Sequence, residues 1–262
     1  MRTLLDRNQN TSSTALRVLT VMEWLGKLQR PVTVAEVCTA SGLDRPTANR
    51  ALLTLVESGF AARDMATKKF RLSYKIVSVA RSVLAGSQDV EAVRSALRKV
   101  SEVTGETCHY SVLEGFESIT TLREKGSQIV AVEFLIGDRE ELHCTSIGKA
   151  ILAHQSAAFL DQFLSRPLSR RTPRTISEPD ALRSELARIR QTGLAIDDRE
   201  MLFDMRCVAA PVFDAGGEVT SGISISGPTS RFTDEHLAYL GSVLARYARE
   251  ISTAIGYVAP DE

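Results

Sequence analysis

No apolar run in this 262-residue chain approaches the ~18 residues needed to cross a membrane. The N-terminus, MRTLLDRNQN, also lacks the long apolar stretch of a secretion signal, so the expectation is a cytoplasmic protein. Cysteine is sparse and scattered. Cys38, Cys108, Cys144 and Cys207 show no CxxC spacing, which makes free thiols the default in a reducing compartment. Net charge is missing too, with 32 basic against 32 acidic side chains. That balance hides an asymmetry: residues 1–85 hold 13 basic and 6 acidic side chains, residues 86–262 hold 19 and 26. A net of +7 beside a net of −7 suggests a nucleic-acid module joined to something that is not one. The length is enough for two domains, each with its own core.

Enzyme signatures are incomplete. Ser146-Ile147-Gly148-Lys149 matches the S-x-x-K of penicillin-binding enzymes, but neither the S-D-N nor the K-T-G partner occurs. Gly148-Lys149 is no phosphate loop, because His143 stands where GxxxxGK needs its first glycine. Gly222-x-Ser224-x-Ser226 misses the last glycine of a nucleophile elbow. No catalytic residue and no cofactor are therefore expected. The competing class is a hydrolase-like or metal- or thiol-sensing use of the C-terminal half. Cys108-His109 and His143-Cys144 could meet as a four-ligand zinc set, but strand neighbours point to opposite faces, so each pair offers one ligand inward. No metal site is expected. Cys207 as a thiol sensor lacks an adjacent resolving cysteine.

The most informative stretch is residues 33–58, TVAEVCTASGLDRPTANRALLTLVES. Thr33 and Glu36 have capping-box spacing, Gly42 supplies the left-handed stop, and Asp44 caps a second helix with Pro46 in its first turn. That is a helix-turn-helix. In the second helix Ala48, Ala51, Leu52, Leu55 and Val56 form one inward stripe, and Arg45, Thr47, Asn49 and Arg50 face outward. A major-groove reader needs that outward set: Arg for guanine, Asn for adenine, a hydroxyl for phosphate or base edge. By itself it is equally a two-helix corner with a solvated face, because helix-turn-helix is a geometric class. The next residues favour DNA. FAAR (60–63) and KKFRL (68–72) read as strands around a turn at 64–67, a wing that brings Lys68 and Lys69 to its tip, near backbone phosphate.

Residues 1–11 are polar and read as a frayed terminus. The helix expected over 14–28 is apolar on more than one face, and so is the connecting helix over 74–85, which Gly86 ends; both are expected to pair with a second copy. The rest reads as an amphipathic helix at 89–104, strands at 107–113, 117–123 and 128–136, and short helices at 146–154 and 157–164. A helix at 178–192 capped by Ser177, strands at 194–197, 206–213 and 218–226, and a final helix at 233–255 complete it. Hairpins mixed with covering helices indicate α+β, an antiparallel sheet with helices laid against it. The expected domains are 12–73, a linker at 74–88, and 89–258.

With LHCTSIGKAILA (142–153), TGLAIDDRE (192–200), RCVAAPVFDAGGEV (206–219) and GISISGP (222–228) in this order, the chain resembles the IclR-type bacterial transcription regulators over nearly its whole length. The resemblance implies an N-terminal winged helix-turn-helix, a linker helix, and a GAF-like effector-binding domain, in homodimers or dimers of dimers. Its partners would be a near-palindromic double-stranded DNA operator and a small carboxylate effector. The start of the GKAILA helix at Ser146 and Ile147 offers free amides and a positive dipole end to a carboxylate. Ser224 and Ser226 alternate on one strand face, Asp197 ends another strand and Cys207 starts the next. The resemblance assigns Ser146, Ile147, Asp197, Met205, Cys207, Ser224 and Ser226 to the effector pocket. His143 and Arg206 are possible carboxylate partners, or simply outward groups. The chain departs from the family at Arg199-Glu200, where two glutamates are common, and at Phe203-Asp204-Met205, where a glycine is common. Phe203 and Met205 are expected to change the apolar wall, which admits an aromatic or longer acid as readily as a two- or three-carbon one.

Overall fold

The computed structural model describes residues 12–84, 89–132 and 134–258; the frayed start expected over 1–11 and the stop at Gly86 lie outside them. The chain packs as two compact units, 1–86 and 87–262. The first contains α1 (Ser13–Leu28), α2 (Val34–Ser41), α3 (Arg45–Glu57), β1 (Ala61–Arg63), β2 (Phe70–Leu72) and α4 (Lys75–Leu84). Its turn is built by local chemistry. The Thr33 hydroxyl accepts from the Glu36 amide while the Glu36 carboxylate accepts from the Thr33 amide at 2.8 Å. That backbone bond, reinforced by Arg30 at 2.7 Å, holds the Glu36 carboxyl down to about 2. Gly42 at φ 71° returns its amide to the Cys38 carbonyl, and Asp44 then caps α3 by accepting from the Thr47 amide. Val21, Leu25, Val37, Leu52, Leu55 and Phe70 close the core beneath these helices. Each large apolar side chain so buried contributes about 1.5–3 kcal/mol, more than either cap.

β1 and β2 pair antiparallel, with Ala61 opposite Leu72. Their loop is held by the Asp64 carboxylate, which accepts from the Ala66 and Thr67 amides at 2.9 and 2.7 Å, and by Lys68 at φ 58°.

The second unit opens with α5 (Asp89–Thr104) and is built on one six-stranded antiparallel sheet ordered β5-β4-β3-β8-β7-β6. Its strands are β3 (Cys108–Glu114), β4 (Glu117–Glu124), β5 (Arg139–Glu141), β6 (Ala195–Asp198), β7 (Met205–Val212) and β8 (Ser221–Pro228). One sheet face is apolar: Cys108, Leu122, Val208, Ala210, Ile223 and Ile225 pack under α5 and α9 (Asp234–Ala254). On the other side α6 (Ser146–Leu152), α7 (Ala157–Leu164) and α8 (Pro179–Thr192) form a second cluster through Ile147, Ile151, Leu160, Leu182 and Leu186. The architecture is α+β, as the mixed hairpins and helices imply.

Two local expectations are overturned. Residues 128–136 carry no strand among the described positions, and the Ile129 side chain is fully exposed. The free edge of β4 is taken instead by β5, whose Glu140 sits opposite Ser118. A short charged segment suits an edge strand, since it discourages further pairing. Ser177 does not cap α8: Glu178 holds the cap position without a side-chain bond, and the Ser177 hydroxyl accepts from Arg170 at 3.2 Å.

Candidate functional site

The outward residues of α3 divide by helical spacing. Arg45 and Asn49, four apart, line a cleft with Thr33, Arg63 and Lys68, between the helix N-terminus and the wing. Arg50 and Thr47 face the other way, beside Arg17 and Thr54. Lys69 lies on the far flank of the hairpin with Arg30 and Arg71. The six residues singled out thus fall into three groups. Thr47 is already committed, because its hydroxyl donates to Asp44 at 2.8 Å and its amide to the same carboxylate at 2.9 Å. Those bonds hold the Asp44 carboxyl below its usual range. Arg17 on α1 and Arg63 on β1 join these clefts from outside the α3 face that helical spacing singles out, although the net charge of the first 85 residues counts them.

In the second unit the face opposite α5 and α9 is polar and buried. Asp197 sits opposite Cys207, Cys207 opposite Ser226, and Ala209 opposite Ser224, whose other neighbour is His109. Ser111 meets Thr120 at 3.2 Å between their hydroxyls, and Ser118 lies beside Glu140. Side chains alternate along strands, so these groups share one face and form a polar track across all six strands. The sheet curls enough for its two edges to feel each other: Glu140 on β5 is pushed up to about 8, first by burial, then by the charges of Asp138 and Asp197. Asp197 is pushed up to about 7 by burial, against two backbone amides on its Oδ1.

Four atoms on this face are buried without a hydrogen-bond partner: His109 Nδ1, Ser118 Oγ, Glu140 Oε1 and Asp197 Oδ2. Each such atom costs about 1–3 kcal/mol unless something else satisfies it. Sequence reading weighed His109 only as a zinc ligand and missed Ser118, Thr120 and Glu140 as site residues. The signal was there as alternating polar positions, but alternation alone cannot separate a solvated face from a buried one.

The residues assigned by resemblance are all buried, and Asp197, Cys207, Ser224 and Ser226 are neighbours on the ladder. Ser146 begins α6, where Thr145 caps the helix by accepting from the Gly148 amide at 3.2 Å. The Cys207 thiol is within hydrogen-bonding reach of Ser226 and Ser146, and burial, with Asp197 beside it, raises it well above the ordinary range. A protonated thiol is a poor redox sensor. Met205 is buried, but Phe203 is 62% exposed and forms no wall. Arg206 is taken by the Phe232 carbonyl and Asp234, both at 2.7 Å, and His143 Nε2 by the Ser169 carbonyl at 2.8 Å.

The competing chemistries lose their key groups. Lys149 is fully buried, paired with Glu200 and donating to the Ile196 carbonyl at 2.6 Å, so it is no base for Ser146. The zinc quartet does not assemble, since the Cys108 thiol donates to the Leu97 carbonyl at 3.1 Å on the face opposite His109. Glu141, His143 and Cys144 do cluster within 4.8 Å. Glu141 there accepts from Ser169 at 2.6 Å and Arg171 at 2.9 Å, an ion-pair node rather than a free ligand set.

Comparison with known proteins agrees with both halves. The family model described as the IclR helix-turn-helix domain matches residues 14–65, and that of the bacterial transcriptional regulator IclR C-terminal domain matches residues 82–253. The HTH-type transcriptional regulator BhcR of Paracoccus denitrificans is 35% identical over 222 residues, covering 84% of this chain and 80% of its own length. The crystal structure of Thermotoga maritima IclR superposes with a TM-score of 0.78 at 30% identity, covering 93% of this chain and 99% of its own. An IclR homolog from Microbacterium hydrocarbonoxydans complexed with 4-hydroxybenzoate shares the fold with a TM-score of 0.79 at 24% identity, covering 93% and 99%. These relatives are regulators rather than enzymes, and this chain belongs to the IclR family of DNA-binding bacterial transcriptional regulators.

Proposed function

We propose that this regulator controls a catabolic operon by sensing a small organic acid. In this reading residues 12–73 read DNA, residues 74–88 link the halves, and residues 89–258 hold the effector. Arg45, Asn49 and Arg50 contact bases, while Lys68 and Lys69 contact phosphate. The apolar groove formed by Leu19 and Met22 on α1, Phe60 just before β1, and Ile76 and Val79 on α4 receives the same groove of a second copy. A two-fold dimer then reads a near-palindrome whose half-sites lie one helical turn, or a multiple of it, apart.

The observation that carries the effector half is the set of four unpartnered polar atoms buried on one sheet face. Ser146, Ile147, Asp197, Met205, Cys207, Ser224 and Ser226 form one end of that site. The 4-hydroxybenzoate bound by the Microbacterium homolog supports an acid as the ligand class. Binding shifts the DNA equilibrium only as far as the acid's affinity differs between the bound and released states. The test is a thermal-shift screen of mono-, di- and hydroxycarboxylates on wild type and Ser224→Ala. A ligand at a hundredfold excess over Kd adds about 2.7 kcal/mol of stability. The expected result is a hit that raises Tm in wild type and not in the variant; a hit equal in both contradicts this site.

A further inference from the structure

Arg63 stands apart from the other cations of the first unit. It ends β1, opposite Phe70, and borders two clefts: the one α3 shares with the wing, beside Arg45 and Lys68, and the one on the far flank of the hairpin, beside Lys69 and Arg71. Its side chain is exposed, and among the described residues it has no hydrogen bond and no ion pair. The guanidinium rests over the Phe70 ring instead, 5.3 Å from its centre. That contact orients the group and strips part of its water without neutralising its charge. The nearest carboxylates are committed elsewhere, Asp64 to the Ala66 and Thr67 amides and Glu36 to Arg30 and the Thr33 amide. A cation on a ridge, with further cations in the hollows on both sides, has the complementary shape of one DNA groove. The minor groove is about 6 Å wide and carries phosphates along both rims. With α3 in the adjacent major groove, the strand between the two grooves falls against Lys68, the next strand falls against Lys69 and Arg71, and Arg63 lies over the minor groove between them.

We propose that Arg63 is a specificity-determining residue, which enters the minor groove beside each half-site and makes the operator require A·T pairs there. The inference rests on the DNA reading proposed above for α3 and the wing lysines, and adds a second readout to it. In the minor groove A·T and T·A present acceptors only, whereas G·C adds the N2 amino donor of guanine. A guanidinium has donors only, so it is matched by the first and opposed by the second. A run of A·T pairs also narrows the groove and strengthens its negative potential, which draws arginine inward. Lysine gains less from the same groove, because its compact ammonium holds its water more tightly. The preference therefore belongs to the guanidinium of Arg63 and not to positive charge as such.

The test is selection of bound duplexes from a random DNA library with the full-length protein, followed by fluorescence anisotropy on the selected sequence. Wild type is expected to enrich A·T runs flanking each half-site, and to bind about tenfold more weakly when those pairs become G·C. Exchange for inosine·cytosine pairs, which lack the N2 amino group, is expected to keep the affinity. In Arg63→Lys the tenfold difference collapses, while the salt dependence of binding stays that of wild type because the charge is kept. Lys68→Ala gives the opposite pattern: affinity falls on every sequence, the salt slope drops by about 1, and the A·T preference remains. Arg63→Ala loses both the preference and about 1 from the slope, and its melting temperature shows that the exposed site leaves the fold intact. An Arg63→Lys protein that still prefers A·T overturns the assignment, as does a wild type that selects no such run or ignores the exchange to G·C. Asn49→Ala then decides the parent reading: a changed base preference within the half-site leaves α3 as the reader without a minor-groove contact, and an unchanged one removes both.

Discussion

At the scale of single residues, the buried carboxyls and the outward cations make opposite kinds of claim. Burial holds Asp197 up to about 7 and Glu140 up to about 8, against ordinary values of 3.8 and 4.5. The folded protein thus keeps protons that the unfolded chain has released, so the stabilising contribution is full below about pH 4 and is lost as pH rises to about 8. Asp197→Asn and Glu140→Gln should therefore melt with a flatter pH dependence between about pH 5 and 8, where one proton is worth about 1.4 kcal/mol per pH unit. A slope equal to wild type in both variants would remove the buried-acid account. Arg50→Ala, in contrast, touches an exposed side chain of α3. It should weaken operator binding by about 1–3 kcal/mol and leave the melting temperature and effector affinity unchanged; band-shift and thermal-shift assays check this together.

At the scale of elements, what the sequence made readable was whatever is decided locally. Thr33 with Glu36, Gly42, and Asp44 before Pro46 each fix a helix end by bonds spanning three or four residues, and the structure has all of them. Thr33→Ala should cost about 1 kcal/mol, read as a lower denaturation midpoint. What stayed hidden was decided by partners far along the chain. Residues 128–136 alternate like a strand, yet the edge of β4 is taken by β5, with charged residues that no β propensity would favour. His109, Ser118 and Glu140 look solvated in the sequence, yet all three are buried in the folded unit, His109 against Phe134. The position of α6 has a similarly non-local cause. A Cβ on Gly148 would come within 2.5 Å of Leu142 Cα, so the helix approaches its own entry loop more closely than any side chain allows. Gly148→Ala should cost roughly 1–3 kcal/mol or more and shift α6 off the polar track, so effector affinity falls along with stability.

For the whole molecule, the division of charge and the division into units coincide: a basic first unit and an acidic second one, broken near residue 86. The candidate DNA-reading and effector residues could be singled out because each lies in a segment with its own local signature, whereas the ligand class depends on which groups the curled sheet leaves unsatisfied. Pairing through the apolar groove of the first unit belongs to this scale as well. Leu19→Glu should shift the protein toward monomer in sedimentation and weaken operator binding, with effector affinity retained. The central claim is that one chain links DNA reading in its first unit to an acid held in its second. Its most direct test is operator affinity, on DNA upstream of the protein's own gene, measured by fluorescence anisotropy with and without saturating ligand, in wild type and Ser224→Ala. The account predicts a change of roughly fivefold or more in wild type, the usual floor of allosteric coupling, and none in the variant, whose affinity without ligand stays at the wild-type value. An operator affinity that ignores a demonstrably bound acid would contradict it.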